Sequence, residues 1–168
     1  MIPQQSTKAD KGKTILTLDL GTKTGWAIKN HGKIFSGTME FKPTRFEGGG
    51  MRFVRFDAWL DGIKHNANPS LVYFEEVRSH GPGGTDAGHI YGGFSGLLTA
   101  WCERNKIPYQ GVPVGTIKRF ATGKGNAGKP EMVAAMTAKG HKPGDDNEAD
   151  ALAIMYWAME QLKYAELK

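Results

Sequence analysis

Acidic residues at three separate points of the chain are the side chains best suited to chemistry. Asp19 ends one apolar run, Glu75 and Glu76 follow another, and Asp146 and Asp150 lie at the start of a helical pattern near the end of the sequence. A carboxylate at the end of a mostly buried strand is costly unless a metal ion, a hydrogen-bond donor or a cation compensates its charge. We therefore interpret Asp19 as the first ligand of a metal site.

The second acidic point offers two adjacent carboxylates, and regular pleating puts only one of them on the face that carries Asp19. We favour Glu75, because it directly follows the apolar Phe74, and Glu76 is the alternative. Acidic side chains that converge from separate elements are the ligands that Mg²⁺ and Mn²⁺ prefer. Two such ions can activate water and stabilise the leaving oxygen of a phosphodiester, so the pattern predicts phosphodiester hydrolysis.

The third acidic point lies at the start of the last predicted helix. Asp150 shares a helical face with Asp146, four residues earlier, and with Asn147, three residues earlier, so spacing alone leaves both open as its partner. The small apolar residues around Asp150 would let the helix lie close against a sheet. Asp145 and Glu148 are instead expected to cap the helix and to interact favourably with its dipole.

Basic residues are concentrated in a different segment, residues 118–139, where Glu131 is the only acid. These basic residues are Lys118, Arg119, Lys124, Lys129 and Lys139. The formal net charge of the whole chain is +5, which is compatible with a polyanionic partner but too common to identify one. The separation of the two kinds of charge predicts that the carboxylates hold metal while the basic segment meets phosphate.

Apolar periodicity and turn residues predict the elements that must position these side chains. The predicted strands cover residues 14–20, 25–30, 33–41, 70–77 and 107–114, and the predicted helices cover 51–66, 86–105, 115–121, 129–139 and 147–162. This order predicts an α/β fold with a mixed five-stranded sheet and helices on both faces, and the prolines of 107–114 place that strand at an edge. Close packing is expected to offset the glycines of the helix 86–105.

Composition restricts the class of protein further. We expect a single domain over residues 13–168 after a short disordered lead over residues 1–12, since hydrophobic residues make up 39% of the 168. No apolar run approaches the roughly 20 residues of a membrane span, and the lead lacks the apolar core of a signal peptide. A cytoplasmic protein without membrane contact is therefore expected. The only cysteine, Cys102, excludes an internal disulfide and a cysteine-cluster metal site, and is expected to be a buried thiol.

Five motifs occur in an order that is typical of one nuclease family. They are Leu18-Asp19-Leu20-Gly21-Thr22-Lys23-Thr24-Gly25, Phe74-Glu75-Glu76-Val77, a small-residue helix at 86–104, the segment from Lys118 to Lys129 with its Gly-x-Gly-x-Ala-x-Lys ending, and Ala-Asp-Ala-Leu-Ala-Ile at 149–154. Each motif is weak alone, but together they resemble the RuvC-like Holliday junction resolvases of the ribonuclease H-like superfamily, over most of residues 14–160. The short chain and its acidic run at 145–150 are similar to bacteriophage members.

The resemblance implies a homodimer that binds four-way junctions and other branched DNA and nicks opposing strands symmetrically, using two Mg²⁺ ions per site. It implies that Asp19, Glu75 and Asp150 are metal ligands. It also implies that Lys118 and Lys129 contact or polarise a DNA phosphate, which places Lys129 among the catalytic residues.

The chain departs from the family pattern at two positions. The family has a further ligand, an acid or a histidine, three residues before the last acid, where this chain has Asn147. We favour Asp146, one residue earlier, as the replacement, and weak ligation by Asn147 is the alternative. Arg78 stands where the family has an aromatic residue, so the preference for DNA bases is expected to differ. Arg78, His80 and Lys124 are hypothesised to contact DNA.

Three other functions are compatible with parts of the sequence. The turn Asp19-Leu20-Gly21-Thr22 also resembles the phosphate-binding turn of sugar kinases and actin-like ATPases, although the chain is short for their two domains. The departure at Asn147 is compatible with a junction-binding protein that does not cleave. A related superfamily pattern occurs in nucleases that process ribosomal RNA precursors.

Overall fold

The computed structural model describes residues 12–167, so residues 1–11 of the predicted disordered lead lie outside the described residues. All ten predicted elements form. The strands are β1 (Ile15–Asp19), β2 (Lys23–Asn30), β3 (Lys33–Glu40), β4 (Leu71–Glu76) and β5 (Tyr109–Pro113), and the helices are α1 (Met51–Ala67), α2 (Thr85–Arg104), α3 (Val114–Thr122), α4 (Lys129–Ala138) and α5 (Asp146–Glu166). Within this part of the chain, no helix is both long and apolar enough to cross a membrane.

The five strands form one mixed sheet in the order β3-β2-β1-β4-β5. β1 pairs antiparallel with β2 and parallel with β4, and β5 lies at the edge, parallel to β4. The turn between β2 and β3 has positive φ at two successive residues, His31 (48°) and Gly32 (79°). Such a turn matches the twist of a two-stranded hairpin. The predicted α/β fold, with β5 at an edge, is confirmed.

The sheet separates two hydrophobic cores, because successive side chains of β1 point to opposite faces. Ile15 belongs to the core covered by α3, α4 and α5, whereas Leu16 and Leu18 belong to the core covered by α1 and α2. Trp101 and Cys102 are fully buried in the second core. Burial raises the pKa of the Cys102 thiol to about 12, which confirms the predicted buried thiol.

The sequence places Gly25 at the first position of the second strand, whereas β2 begins two residues earlier, at Lys23. Gly25 lies inside β2, opposite Asp19 of β1 and Thr38 of β3. A Cβ atom built on Gly25 would overlap the backbone of Asn147 in the first turn of α5. A residue without a side chain is therefore required here, since it lets the start of α5 lie directly on the sheet beside the end of β1.

The glycines of α2 are explained by packing at one position only. A Cβ atom on Gly93 would collide with the ring of Phe53 on α1. Gly92 and Gly96 are exposed, and among the described residues no atom lies within 4 Å of a Cβ built on either of them. The expected close packing is confirmed at Gly93, whereas packing of Gly92 and Gly96 against a second copy of the protein stays a prediction.

Candidate active site

The carboxyl ends of β1 and β4 bring Asp19 and Glu75 together. Leu18 pairs with Phe74 in the parallel ladder, so the residues that follow them lie side by side and point to the same face. A side-chain hydrogen bond joins Asp19 to Glu75. Burial, and next the charge of Glu75, raises the pKa of Asp19 well above its usual value. Glu75 is thus the neighbour of Asp19, as the sequence analysis favours.

Capping interactions fix the start of α5 against the outer strand β3. The Asp145 side chain accepts a hydrogen bond from the Glu148 backbone N–H (2.9 Å) and another from the Thr38 hydroxyl (2.6 Å). Glu148 in turn accepts hydrogen bonds from the Gly144 backbone N–H (2.7 Å) and from the Ser36 hydroxyl (2.7 Å). The predicted capping roles of Asp145 and Glu148 are confirmed, and the same contacts determine where the next residues of α5 lie.

The second turn of α5 brings Asp150 to the two strand-end carboxylates. The Thr17 hydroxyl donates a hydrogen bond to the Ala151 carbonyl (2.7 Å) and so holds this turn on β1. Burial raises the pKa of Asp150 to about 7, and the charges of Glu75 and Asp146 act in the same direction. Side chains from β1, β4 and α5 therefore interact electrostatically as one group.

Asp146 and Asn147, the two candidates for the remaining ligand, have different surroundings. Asp146 contributes to the raised pKa of Asp19 and forms an ion pair with Lys129, whose Nζ lies 3.0 Å from Oδ2 of Asp146. The side chain of Asn147 instead forms a hydrogen bond with Asp145. Asp146 therefore interacts electrostatically with the buried carboxylates Asp19 and Asp150.

Two of the three predicted DNA-binding lysines lie near this carboxylate group. Lys118 on α3 and Lys129 at the start of α4 both lower the pKa of Asp150. The pKa of Lys129 is itself raised, chiefly by its hydrogen bond with Asp146. Lys124 is exposed on the loop between α3 and α4, and the Thr122 hydroxyl accepts a hydrogen bond from its backbone N–H (3.2 Å).

The residues that follow Glu75 lie beside the carboxylate group rather than in it. Because side chains alternate along a strand, Glu76 points to the opposite face from Glu75. It accepts hydrogen bonds from Nε (3.2 Å) and Nη2 (3.1 Å) of the exposed Arg78. The exposed His80 lies against the ring of Tyr91, with 5.6 Å between the ring centroids.

Tyr91 on α2 is a residue that the sequence analysis missed. Its hydroxyl donates a hydrogen bond to the Glu75 carbonyl (2.7 Å) and accepts one from the Val77 backbone N–H (3.2 Å). The hydroxyl thereby fixes the end of β4, from which the Glu75 side chain extends. Tyr91 and His80 also line a cleft of about 290 Å³ next to the turn at Gly21. No spacing pattern indicates this role, because the partners of the hydroxyl are backbone groups of another element.

The chemistry of these side chains fits a hard divalent cation. Asp19, Glu75, Asp146 and Asp150 supply carboxylate oxygens, and the repulsion among them is what a bound cation would relieve. Within residues 12–167, no three acidic, imidazole or thiol side chains are yet arranged as the ligands of one ion. Instead, Asp146 is paired with Lys129, and Asp19 is hydrogen-bonded to Glu75. The oxygen donors are therefore present together, and Asp19, Glu75 and Asp146 each have a protein partner.

Comparison with known proteins gives matches among solved structures alone, since no protein-family model and no curated protein sequence matches the chain. The chain is similar to T. thermophilus RuvC in complex with a Holliday junction substrate, with a TM-score of 0.69 and 22% identity, covering 84% of this chain and 90% of that chain. A second structure of Thermus thermophilus RuvC gives a TM-score of 0.64 and 21% identity over the same shares. The yeast mitochondrial Holliday junction resolvase Ydc2 gives a TM-score of 0.62 and 14% identity, covering 90% of this chain and 81% of that chain.

The mixed five-stranded sheet with helices on both of its faces is an α/β fold of the ribonuclease H-like class. The structural matches narrow this class: the chain has a RuvC-like fold. The predicted fold and the predicted resemblance are confirmed at that level. The roles of the individual site residues remain predictions.

Proposed function

We propose that this protein is a metal-dependent, structure-selective endonuclease that resolves four-way and other branched DNA by paired symmetric nicks. The observation that carries the proposal is the group of four carboxylates, Asp19, Glu75, Asp146 and Asp150, where β1, β4 and α5 meet. The similarity to a RuvC that was solved with a Holliday junction substrate supports branched DNA as the substrate. A role in DNA recombination and repair would follow.

In this proposal the four carboxylates hold two Mg²⁺ ions, for which Mn²⁺ can substitute. Ions bound there activate water for attack on a phosphodiester and stabilise the leaving oxygen. Asp19 and Glu75 contribute from adjacent strand ends, and metal binding would replace the Asp19–Glu75 hydrogen bond and the Asp146–Lys129 ion pair. Lys129 is proposed as a catalytic residue: it neutralises Asp146 in the metal-free protein and contacts phosphate once substrate is bound.

Four further residues are proposed to contact DNA around this site. Lys118 lies close enough to lower the pKa of Asp150, so it supplies positive charge beside the carboxylates. Lys124, Arg78 and His80 are exposed on the loops on either side, where a DNA backbone can reach them. A homodimer would provide two such sites and hence paired nicks. We also propose a cytoplasmic, bacteriophage-type protein that acts in a bacterial or phage-infected cell.

Cleavage of a synthetic four-way junction tests the proposal. The protein is incubated with the junction, with linear duplex of the same sequence and with an RNA hairpin, each with and without Mg²⁺. We expect symmetric nicks in the junction alone and only with the metal, and none with Asp19→Asn. Junction binding without nicking would indicate the non-catalytic alternative, and preferential cleavage of the hairpin would indicate a ribonuclease.

A further inference from the structure

The turn between β3 and α1 presents an aromatic ring almost entirely to solvent. Phe46 is 93% exposed, more than any other large apolar residue described in residues 12–167. The guanidinium of its neighbour Arg45 lies over the Phe46 ring, 5.7 Å from its centroid. An exposed ring beside an arginine is costly to solvate and well suited to stacking on a planar partner.

The turn that carries Phe46 is held in place by its own hydrogen bonds. The Glu47 backbone N–H donates to the Thr44 carbonyl (3.1 Å), and the Glu47 carboxylate accepts from the Thr44 backbone N–H (2.7 Å). Arg55 of α1 forms an ion pair with the same carboxylate. The exposure of the ring is therefore a property of an ordered turn.

The turn lies at the edge of the sheet that carries the carboxylate group. The Phe41 backbone N–H donates to the Thr22 carbonyl (2.7 Å), and Nη1 of Arg52 donates to the Thr22 hydroxyl (3.1 Å). Thr22 follows Asp19 by three residues. In the ladders Asp19 of β1 is level with Thr38 of β3, two strands away and about 10 Å across the sheet, and β3 ends two residues later at the same end of the sheet. One DNA molecule can therefore span both places.

The charge of this segment suits a polyanion. Four cations, Lys42, Arg45, Arg52 and Arg55, lie in residues 42–55 against the single acid Glu47. This basic group is separate in sequence from Lys118, Lys124 and Lys129. Positive side chains around an exposed ring are the usual composition of a surface that tracks a DNA backbone while it stacks an unpaired base.

We propose that Phe46 and Arg45 form a stacking site for an unpaired nucleobase at the branch point of the DNA substrate. This inference rests on the proposed function, because it takes branched DNA as the ligand. Bases at a branch point are more easily unstacked than those inside a duplex, and the ring recognises any base because every base has a flat face. The site thus favours branched over linear DNA without reading a sequence.

Fluorescence of 2-aminopurine at the branch point of a four-way junction tests the site. The full chain is titrated into the labelled junction without divalent metal, so that no cleavage occurs. We expect the wild-type protein to change the fluorescence, and Phe46→Ala to abolish the change and to weaken binding about tenfold. Phe46→Trp should restore both, since it retains an aromatic face. Phe35→Ala, which removes another exposed phenylalanine in the middle of β3, should behave as the wild type.

The outcomes separate this inference from the proposed function. If Phe46→Ala binds and changes the fluorescence like the wild type, while the wild type nicks junctions with Mg²⁺, the stacking site is wrong and the proposed function stands. If the wild type neither binds nor nicks the junction, both are wrong. Binding to anionic phospholipid vesicles that Phe46→Ala loses, together with unchanged junction affinity, would reassign the turn to a membrane surface and overturn the site.

Discussion

At the scale of single residues, the carboxylate group is a source of instability that a metal ion would remove. Asp19 and Asp150 both have raised pKa values, first from burial and then from the neighbouring acids. Their ionised forms are therefore less stable in the folded chain than in water. A structural ion pair would have the opposite effect on a carboxyl group, and this difference is the physical basis for assigning the group to metal binding.

Replacement of Asp19 by asparagine should separate activity from stability. We expect Asp19→Asn to lower the nicking rate by more than about 100-fold, since loss of outer-shell partners alone costs about 10- to 100-fold at metal sites. Junction affinity should stay within about threefold. The melting temperature without metal should rise, because a repelled charge is lost, and Mg²⁺ should no longer raise it. Asp57→Asn is the control, because Asp57 forms an exposed ion pair with Arg104. If the two variants had equal nicking rates and melting temperatures, the assignment of Asp19 to a metal site would be wrong.

Tyr91 is expected to act as a positioning residue for Glu75. Tyr91→Phe keeps the ring and removes the hydrogen bonds to the Glu75 carbonyl and the Val77 N–H, so we expect a loss of stability of about 1 kcal/mol. The Mg²⁺ concentration for half-maximal nicking should rise about tenfold, and Mg²⁺ affinity by calorimetry should fall equally. Tyr109→Phe, whose hydroxyl is bonded to Glu103 on the surface, is the control. If Tyr91→Phe lost stability but kept the wild-type Mg²⁺ affinity, Tyr91 would stabilise the fold without positioning Glu75.

At the scale of elements, the close approach of α5 to β2 at Gly25 determines where Asp146 and Asp150 lie. Overpacking of a protein core typically costs roughly 1–3 kcal/mol of unfolding free energy. Gly25→Ala should lie at the upper end of this range, because the added Cβ atom would meet backbone atoms of Asn147. Gly62→Ala on α1, where a Cβ meets no atom within 4 Å, should stabilise by about 0.5–1 kcal/mol. Denaturant unfolding measures both free energies of unfolding, and a Gly25→Ala variant that is as stable as the wild type would show that the close approach at Gly25 tolerates a side chain.

The elements were predictable from the sequence where one local rule governs them. Alternation in β1 predicts the face of Asp19, and the apolar residue before Glu75 favours the glutamate that the structure places next to Asp19. The close approach of α5 at Gly25 was not predicted, because a glycine at a turn and a glycine under a helix look alike in one sequence. Tyr91 was missed because its contacts join α2 to the backbone of β4. Contacts between elements distant in sequence leave no periodic signal, so local rules do not predict them.

At the scale of the whole molecule, positive charge lies on both sides of the carboxylate group. Residues 118–129 follow β5 on the α5 face, and residues 42–55 follow β3 at the same end of the sheet. A DNA arm that crosses the carboxylates would meet basic side chains before and after them. Substrate binding is therefore expected to be strongly dependent on salt, because each neutralised phosphate releases counterions.

Salt titrations of junction binding without divalent metal test the contribution of residues 118–129 to this salt dependence. Lys118→Ala and Lys124→Ala should each reduce the slope of log affinity against log salt concentration by about one, and the double variant by about two, since these effects add for separate phosphate contacts. Lys64→Ala is the control: its side chain bonds to Asn68 near the end of α1, about 20 Å along the helix from the basic turn. A slope that changes equally with Lys64→Ala would mean that net charge, and not the basic segment 118–129, governs binding.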